Sequence, residues 1–234
     1  MNDRSPRRFV IGDVHGCSKA LRELIRYLDP GEDDELVFLG DYVDRGPDSR
    51  DVIEQLIALQ QRSRVVALRG NHEVMLGGIL FGDMPEQVWM NNGGHATVTS
   101  YGGRLDRIPE THREFLRSLH SHYETETEIF VHAGYHPDLA MAEIDDVTRY
   151  WQHLAYPLPQ PHRSGKRVYV GHTPQPGGRI LDANHLICVD TCCFGGGYLT
   201  AMDRDDGRLV QFDSSGHRRR QPLAEMFAAV RRLF

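Results

Sequence analysis

Three glycines, Gly12, Gly40 and Gly70, each close a short apolar run and open a polar block, at intervals of 28 and 30 residues. That interval is about the length of one strand, one helix and the return to the next strand. The runs RRFVIGD, ELVFLGD and RVVALRGN read as strands. Between them, SKALRELIRYL sets Leu21, Leu24, Ile25 and Leu28 on one helical face with Ser18 available as a cap, and SRDVIEQLIALQQ does the same with Val52, Ile53, Leu56 and Ile57. A βαβαβ opening predicts three parallel, neighbouring strands, because a crossover of this length returns the chain beside the strand it left.

Residues 71 to 121 read as a helical insertion, broken at MNNGGH and at the GGR of 102–104, with Pro109 suited to a first helical turn. From residue 122 short strands dominate: HYETETEIFVHAG, KRVYVGH, GRILD, HLICVD and YLTAMD, with turn chemistry at Ala183-Asn184 and Asp206-Gly207. A mixed sheet is expected there. PLAEMFAAVRRLF places Leu223, Met226, Phe227 and Val230 on one face, which predicts a closing helix over about 222–233 docked on the body. With no internal repeat or low-complexity linker, the expectation is one domain over residues 1–234.

A formal net charge of −6 argues against a general nucleic-acid binder, which needs positive charge to displace counterions from phosphates. The basic group His217, Arg218, Arg219 and Arg220, with Arg231 and Arg232, reads as a solvated face. No apolar run suits a secretory leader or a membrane span, so a cytoplasmic protein with no membrane partner is expected. Cys17, Cys188, Cys192 and Cys193 lack C-x-x-C spacing and the C-x5-R spacing of a cysteine phosphatase, which leaves them reduced packing residues. Asp203, Asp205 and Asp206 form too short a run for a calcium loop and fit a hairpin turn, and His95 reads as a solvated loop residue.

The polar blocks carry the chemistry. Gly12-Asp13-Val14-His15-Gly16, Gly40-Asp41-Tyr42-Val43-Asp44-Arg45-Gly46 and Gly70-Asn71-His72-Glu73 follow the first three strands, at the edge where open α/β sheets bind ligands. Val131-His132-Ala133-Gly134 and Gly171-His172-Thr173-Pro174 end two later strands in the same way. Carboxylate, amide and imidazole together suit manganese, iron or zinc better than calcium. Each fragment alone is ordinary; five in one chain, each beside a turn-permitting glycine, point to one metal site.

GDVHG, GDYVDRGP, GNHE, VHAG and GHTP, in that order, resemble the five blocks of the calcineurin-like phosphoesterases over about residues 8–203. DYVDRG with GNHE resembles the phosphoprotein phosphatase branch, as do the segments NNGGHATVTSYGG and VDTCCFGGGYLTAMD its bacterial and phage-type members. The resemblance implies an αββα sandwich of two mixed sheets flanked by helices. It also implies two divalent ions, manganese in first place, held by Asp13, His15 and Asp41 and by Asp41, Asn71, His132 and His172, with Asp41 shared. His72 would be the general acid, held cationic by Asp44, and Arg45 and Asn71 would bind phosphate. The family's second phosphate-binding arginine, beside a tryptophan, has Arg149 near Trp151 as its candidate, with Arg163 as an alternative. The implied activity is hydrolysis of phosphoserine or phosphothreonine in proteins by direct attack of water, phosphorylated proteins or small phosphoesters being the partners. A diadenosine polyphosphate hydrolase shares this scaffold, and Asp44 and Glu73 are expected to separate the two; a catalytically dead binding module would have lost a ligand or His72.

Overall fold

A computed structural model describes residues 5–220. The helix expected over 222–233, with Arg231 and Arg232, lies outside the described residues. The βαβαβ opening is present as β1 (Arg8–Ile11), α1 (Ser18–Leu28), β2 (Glu35–Phe38), α2 (Ser49–Gln60) and β3 (Arg64–Ala67), with the three strands parallel and in register. Ser18 begins α1 but makes no cap bond, whereas Asp48 caps α2 by accepting from the Asp51 N–H at 3.0 Å.

The insertion is helical as expected: α3 (Asn71–Phe81), α4 (Glu86–Trp89), a wide turn over Met90–Gly94, α5 (His95–Ser100) and α6 (Glu110–Ser118). Pro109 stands just before α6 instead of within its first turn. Gly93 breaks the α4–α5 stretch with φ +104°, a conformation a side chain would resist, and its carbonyl accepts the Arg45 N–H at 3.2 Å.

The second half supplies β4 (His122–Glu124), β5 (Glu128–Val131), α7 (Asp146–Trp151), β6 (Arg167–Val170), β7 (Leu181–Asp182), β8 (Leu186–Cys188), β9 (Leu199–Asp203) and β10 (Leu209–Phe212). The order β10-β9-β1-β2-β3 makes one mixed sheet and β4-β5-β6-β8-β7 the other. Asn184 (φ +69°) and Gly207 (φ +73°) turn the two expected hairpins.

Alternation along the strands explains the layers. Val10, Val37, Leu39 and Val66 meet Phe130, Tyr169, Ile187 and Val189 between the sheets. Their neighbours Phe9, Ile11, Leu36 and Phe38 face α1 and α2 on one outer side, and Ile129, Val131, Val168 and Val170 face Tyr135, Met141 and Ile144 on the other. The result is the predicted sandwich of two mixed sheets with flanking helices, with the carboxyl ends of β1, β2, β3, β5 and β6 brought to one edge.

Candidate metal centre

Asp13 and His15 follow β1, Asp41, Asp44 and Arg45 follow β2, Asn71 and His72 open α3, and His132 and His172 follow β5 and β6. The turns that carry them are strained: among the described residues, five of the eight non-glycine residues with positive φ are His15, Asp41, Asp44, Arg45 and His172. Such conformations persist where the surroundings over-determine them. Here Glu73 does much of that work, accepting the N–H groups of Asp41 (2.9 Å), Tyr42 (2.7 Å), Val43 (3.2 Å) and Gly70 (3.0 Å). At Gly70 a Cβ would collide with the Asp41 carboxylate, so glycine is what admits that close approach.

The histidines share one arrangement. His15 Nδ1 faces the Val43 carbonyl at 2.9 Å, His132 Nδ1 the Leu39 carbonyl at 2.8 Å, and His172 Nε2 the Trp151 carbonyl at 3.1 Å. A carbonyl only accepts, so each of these nitrogens carries the proton and the other presents a lone pair. Burial pushes His15 and His172 down to about 3 and His132 down as well, which keeps the three rings neutral. The free nitrogens converge: His15 Nε2 and His132 Nε2 each lie 3.4 Å from an Asp41 oxygen, and His132 Nε2 and His172 Nδ1 each lie 3.0 Å from Asn71 Oδ1.

An amide oxygen set between two imidazole lone pairs is repulsive unless a cation lies among them, and backbone-anchored imidazoles are the usual form of metal-ligating histidine. Two groups, His15–Asp41–His72 and Asp41–His132–His172, have candidate ligand atoms within 4.8 Å of one another and share Asp41. Asp13 stands beside them, its carboxylate accepting the His172 N–H at 3.1 and 3.2 Å. Burial, reinforced by Asp190 and Asp41, pushes the Asp13 carboxyl well up. Buried acids crowded together with neutral imidazoles fit divalent cations.

His72 and Asp44 form a second unit, both fully buried, with His72 Nδ1 donating to Asp44 Oδ2 at 2.7 Å. Burial alone would lower the imidazole pKa, but the Asp41 charge and the Asp44 hydrogen bond outweigh it and lift it above 6.5. His72 Nε2 is buried without a hydrogen-bond partner, 4.0 Å from Asp41 Oδ2. Two residues absent from the sequence reading complete the unit: Trp89 Nε1 donates to Asp44 Oδ2 at 2.7 Å and Thr97 Oγ1 to Asp44 Oδ1 at 2.6 Å. Both come from the insertion, and nothing local in the sequence marks them. Asp190 was also missed, although HLICVD ends in an acid after an apolar run as RRFVIGD does.

Arg45 is exposed at the site and donates to His15 Nε2 at 3.0 Å. Arg149 is not a second clamp: it is buried, and its guanidinium donates to the Met141 and Ile144 carbonyls at 3.1 and 2.9 Å, securing the loop before α7. Arg163 pairs with Glu143 at 3.6 Å on the surface. From the stretch that suggested Arg149 it is His153 that reaches the site, exposed and stacked on His172 with centroids 4.3 Å apart. Cys17 packs in the core as expected, and His95 is exposed as expected but opens α5 instead of lying in a loop.

Two mixed sheets that bring carboxylates, an amide and imidazoles to one edge match a metallophosphoesterase fold, with side chains placed to hold metal. The chain belongs to the calcineurin-like phosphoesterase family, whose sequence model matches residues 6–197. It is 29% identical over 248 residues to a bis(5'-nucleosyl)-tetraphosphatase PrpE [asymmetrical] of Oceanobacillus iheyensis, spanning 93% of this chain and 95% of that protein. The protein of the same description from Anoxybacillus flavithermus is 27% identical, over 88% of this chain and 94% of its own length. Among solved structures, one provisionally assigned as a diadenosine tetraphosphatase superposes with a TM-score of 0.65 at 23% identity, covering 90% of this chain and 95% of that one, a likeness of fold.

These relatives overturn the expectation of a protein serine/threonine phosphatase acting on phosphoproteins. The residues used to separate the two activities explain the error. Glu73 spends its carboxylate on backbone N–H groups and Asp44 spends its own on His72, Trp89 and Thr97. Both carboxylates are taken up by the scaffold and by His72, so neither marks the group attached to the phosphate.

Proposed function

We propose that the protein hydrolyses dinucleoside polyphosphates, with bis(5'-nucleosyl)-tetraphosphate as the substrate to test first. The observation that carries this reading is the end-to-end likeness to asymmetrical bis(5'-nucleosyl)-tetraphosphatases, 93% of one chain against 95% of the other. Asp13, His15 and Asp41 would hold one divalent ion and Asp41, Asn71, His132 and His172 the other, with manganese preferred to iron or zinc. When bound, such a pair supplies Lewis acidity, activating water and drawing in phosphate oxygens.

The protein's own groups do the rest. Arg45 offers a planar fork of donors to phosphate oxygens, and Asn71, between His132 and His172, would add an amide donor. His72 delivers a proton from Nε2 to the departing phosphate oxygen, while Asp44 holds Nδ1–H and so fixes which nitrogen faces the reaction. Trp89 and Thr97 keep the Asp44 carboxylate aimed at His72. The departing group here is a nucleotide phosphate, a better leaving group than an alkoxide, so the acid has less to supply than it would on a serine ester.

Incubating the full chain with diadenosine tetraphosphate and manganese, and separating the products by anion exchange, tests the reading. Asymmetric cleavage releases ATP and AMP; symmetric cleavage releases ADP alone. Failure to consume this substrate while a simple phosphomonoester is hydrolysed would overturn the proposal.

A further inference from the structure

The rim of the site carries an aromatic ring that the chemistry above leaves unused. Phe194 is 37% exposed, its ring centre lies 4.7 Å from the Arg45 guanidinium, and it meets the His15 ring edge-on at 4.9 Å. Among the other exposed rings, Tyr27 lies under Arg218 and Phe81 under Arg117, as Phe194 lies under Arg45, and Tyr156 is 83% exposed; Phe194 is the one of these whose cation and ring partners, Arg45 and His15, belong to the site.

The turn that displays Phe194 is braced. Cys192 (φ +61°) and Gly196 (φ +90°) flank it in the left-handed region, and Cys193 is buried beneath it. The Cys192 N–H donates to Asp190 at 2.8 Å, while the Gly195 and Gly197 N–H groups both return to the Cys192 carbonyl, at 3.1 and 2.9 Å. The Tyr198 N–H closes the base of the turn on the Thr191 carbonyl at 3.0 Å. A strained turn this well tied fixes the ring in place instead of letting it fold back onto the apolar core.

We propose that Phe194 is a stacking platform for a nucleobase of the substrate; this rests on reading the site as one for dinucleoside polyphosphates. A phenyl ring makes no hydrogen bonds, so its one asset at a polar rim is a flat apolar face, which every nucleobase can stack on whatever its edge pattern. A phosphate gripped by Arg45 carries its base on a single ribose, within reach of a ring that adjoins the same guanidinium. Phe194 then selects nucleotides over phosphoesters that lack a planar group, without selecting among bases.

Calorimetric titration of the manganese-loaded full chain with adenosine 5'-monophosphate and with ribose 5-phosphate measures this directly. Base–aromatic stacking predicts that the first binds roughly tenfold to a hundredfold more tightly. Phe194→Ala should collapse that ratio toward one and Phe194→Trp should keep it. Phe194→Leu, which preserves apolar volume without a ring, should lose most of it and guards against a folding defect in the alanine variant. An unchanged ratio in Phe194→Ala, an equal weakening of both ligands, or no preference in the parent protein would overturn the proposal; equal weakening would mean that Phe194 only steadies Arg45. Because the titration needs no turnover, a parent that prefers the nucleotide but leaves diadenosine tetraphosphate intact would sink the substrate assignment and spare the platform.

Discussion

The two ends of the paired sheets bury charge in opposite ways. At the amino-terminal edge, Glu35 at the start of β2 and Glu128 at the start of β5 close on one guanidinium, that of Arg204, which is only 1% exposed; Arg204 donates to Glu35 at 2.6 Å and grips Glu128 through two of its nitrogens. Tyr123 adds a hydroxyl donor to Glu35 at 3.1 Å. At the carboxyl-terminal edge, Asp13, Asp41 and Asp190 are as deeply buried, but the imidazoles of His15, His132 and His172 are neutral, His72 is paired with Asp44, and Arg45 touches the cluster from its exposed side, on His15. With Arg64 a second cation 3.3 Å from Glu35, one edge balances its charges within the chain and joins the sheets; the other leaves a deficit that suits ions from outside. Burial of acids does not by itself mark a site, whereas burial without compensation does.

The largest expected effect is at the uncompensated edge. Asp41→Ala removes the carboxylate common to both ligand groups, so hydrolysis of diadenosine tetraphosphate should fall to background and manganese should no longer raise the thermal midpoint. In the parent, metal at a hundred times its Kd should add about 2.7 kcal/mol of stability. A variant that still gained stability from manganese would show that the two ligand groups do not depend on Asp41.

His72→Asn should come next. General acid catalysis is worth about 10²–10⁴-fold, and the good leaving group here places the expected loss in kcat near the lower bound. Retained manganese stabilisation would keep His72 distinct from the ligands, a point the geometry leaves pointed because His72 shares a candidate ligand group with His15 and Asp41. Loss of that stabilisation would make it a ligand instead.

At the compensated edge the effects should fall on stability. Arg204→Met leaves Glu128 without the guanidinium that grips it and Glu35 with Arg64 alone, and should cost about 3–5 kcal/mol in urea unfolding while leaving kcat on the folded protein unchanged. Adding Glu35→Gln and Glu128→Gln should recover much of that loss, since the cost lies in the unpaired charges. No recovery would mean that the pairing, not charge balance, joins the sheets.

The smallest effect concerns Asp34, beside the start of β2. Burial would raise its carboxyl pKa, but the Arg7 side chain and the Arg7 and Gly31 N–H groups outweigh it and hold the group below 3.8. A depressed carboxyl stabilises the fold fully above its ordinary pKa and loses that contribution as pH falls through the folded value. Arg7→Ala should therefore cost about 1 kcal/mol near neutrality, with the difference from the parent shrinking below about pH 4. A difference that persists in acid would point to the Arg7 bonds to the Leu28 and Asp29 carbonyls.

Much of this architecture was legible beforehand. The helical and strand periods of α1, α2 and β1–β3 rest on neighbours within a few residues, and the glycines at 12, 40 and 70 mark where each strand must turn. The same holds for Asp13, His15, Asp41, Asn71, His132 and His172, because a block that ends a strand at this edge needs no distant partner to be placed there. Substrate class was not legible, since Asp44 is engaged with His72, Trp89 and Thr97 and Glu73 with backbone N–H groups.

Local order, then, was decided by the sequence alone: period, turn chemistry and the succession of polar blocks are properties of short stretches of chain. Partnership was decided only in three dimensions. Trp89 and Thr97 find Asp44 across 45 and 53 residues, and Arg204 finds Glu128 across 76 and Glu35 across 169. Arg149 spends its donors on carbonyls where a phosphate was expected, and Phe194 comes to rest beside Arg45. Hydrogen bonds and desolvation act over a few ångströms of space without regard to separation along the chain, so which donor satisfies which buried acceptor is settled when the sheets close on each other.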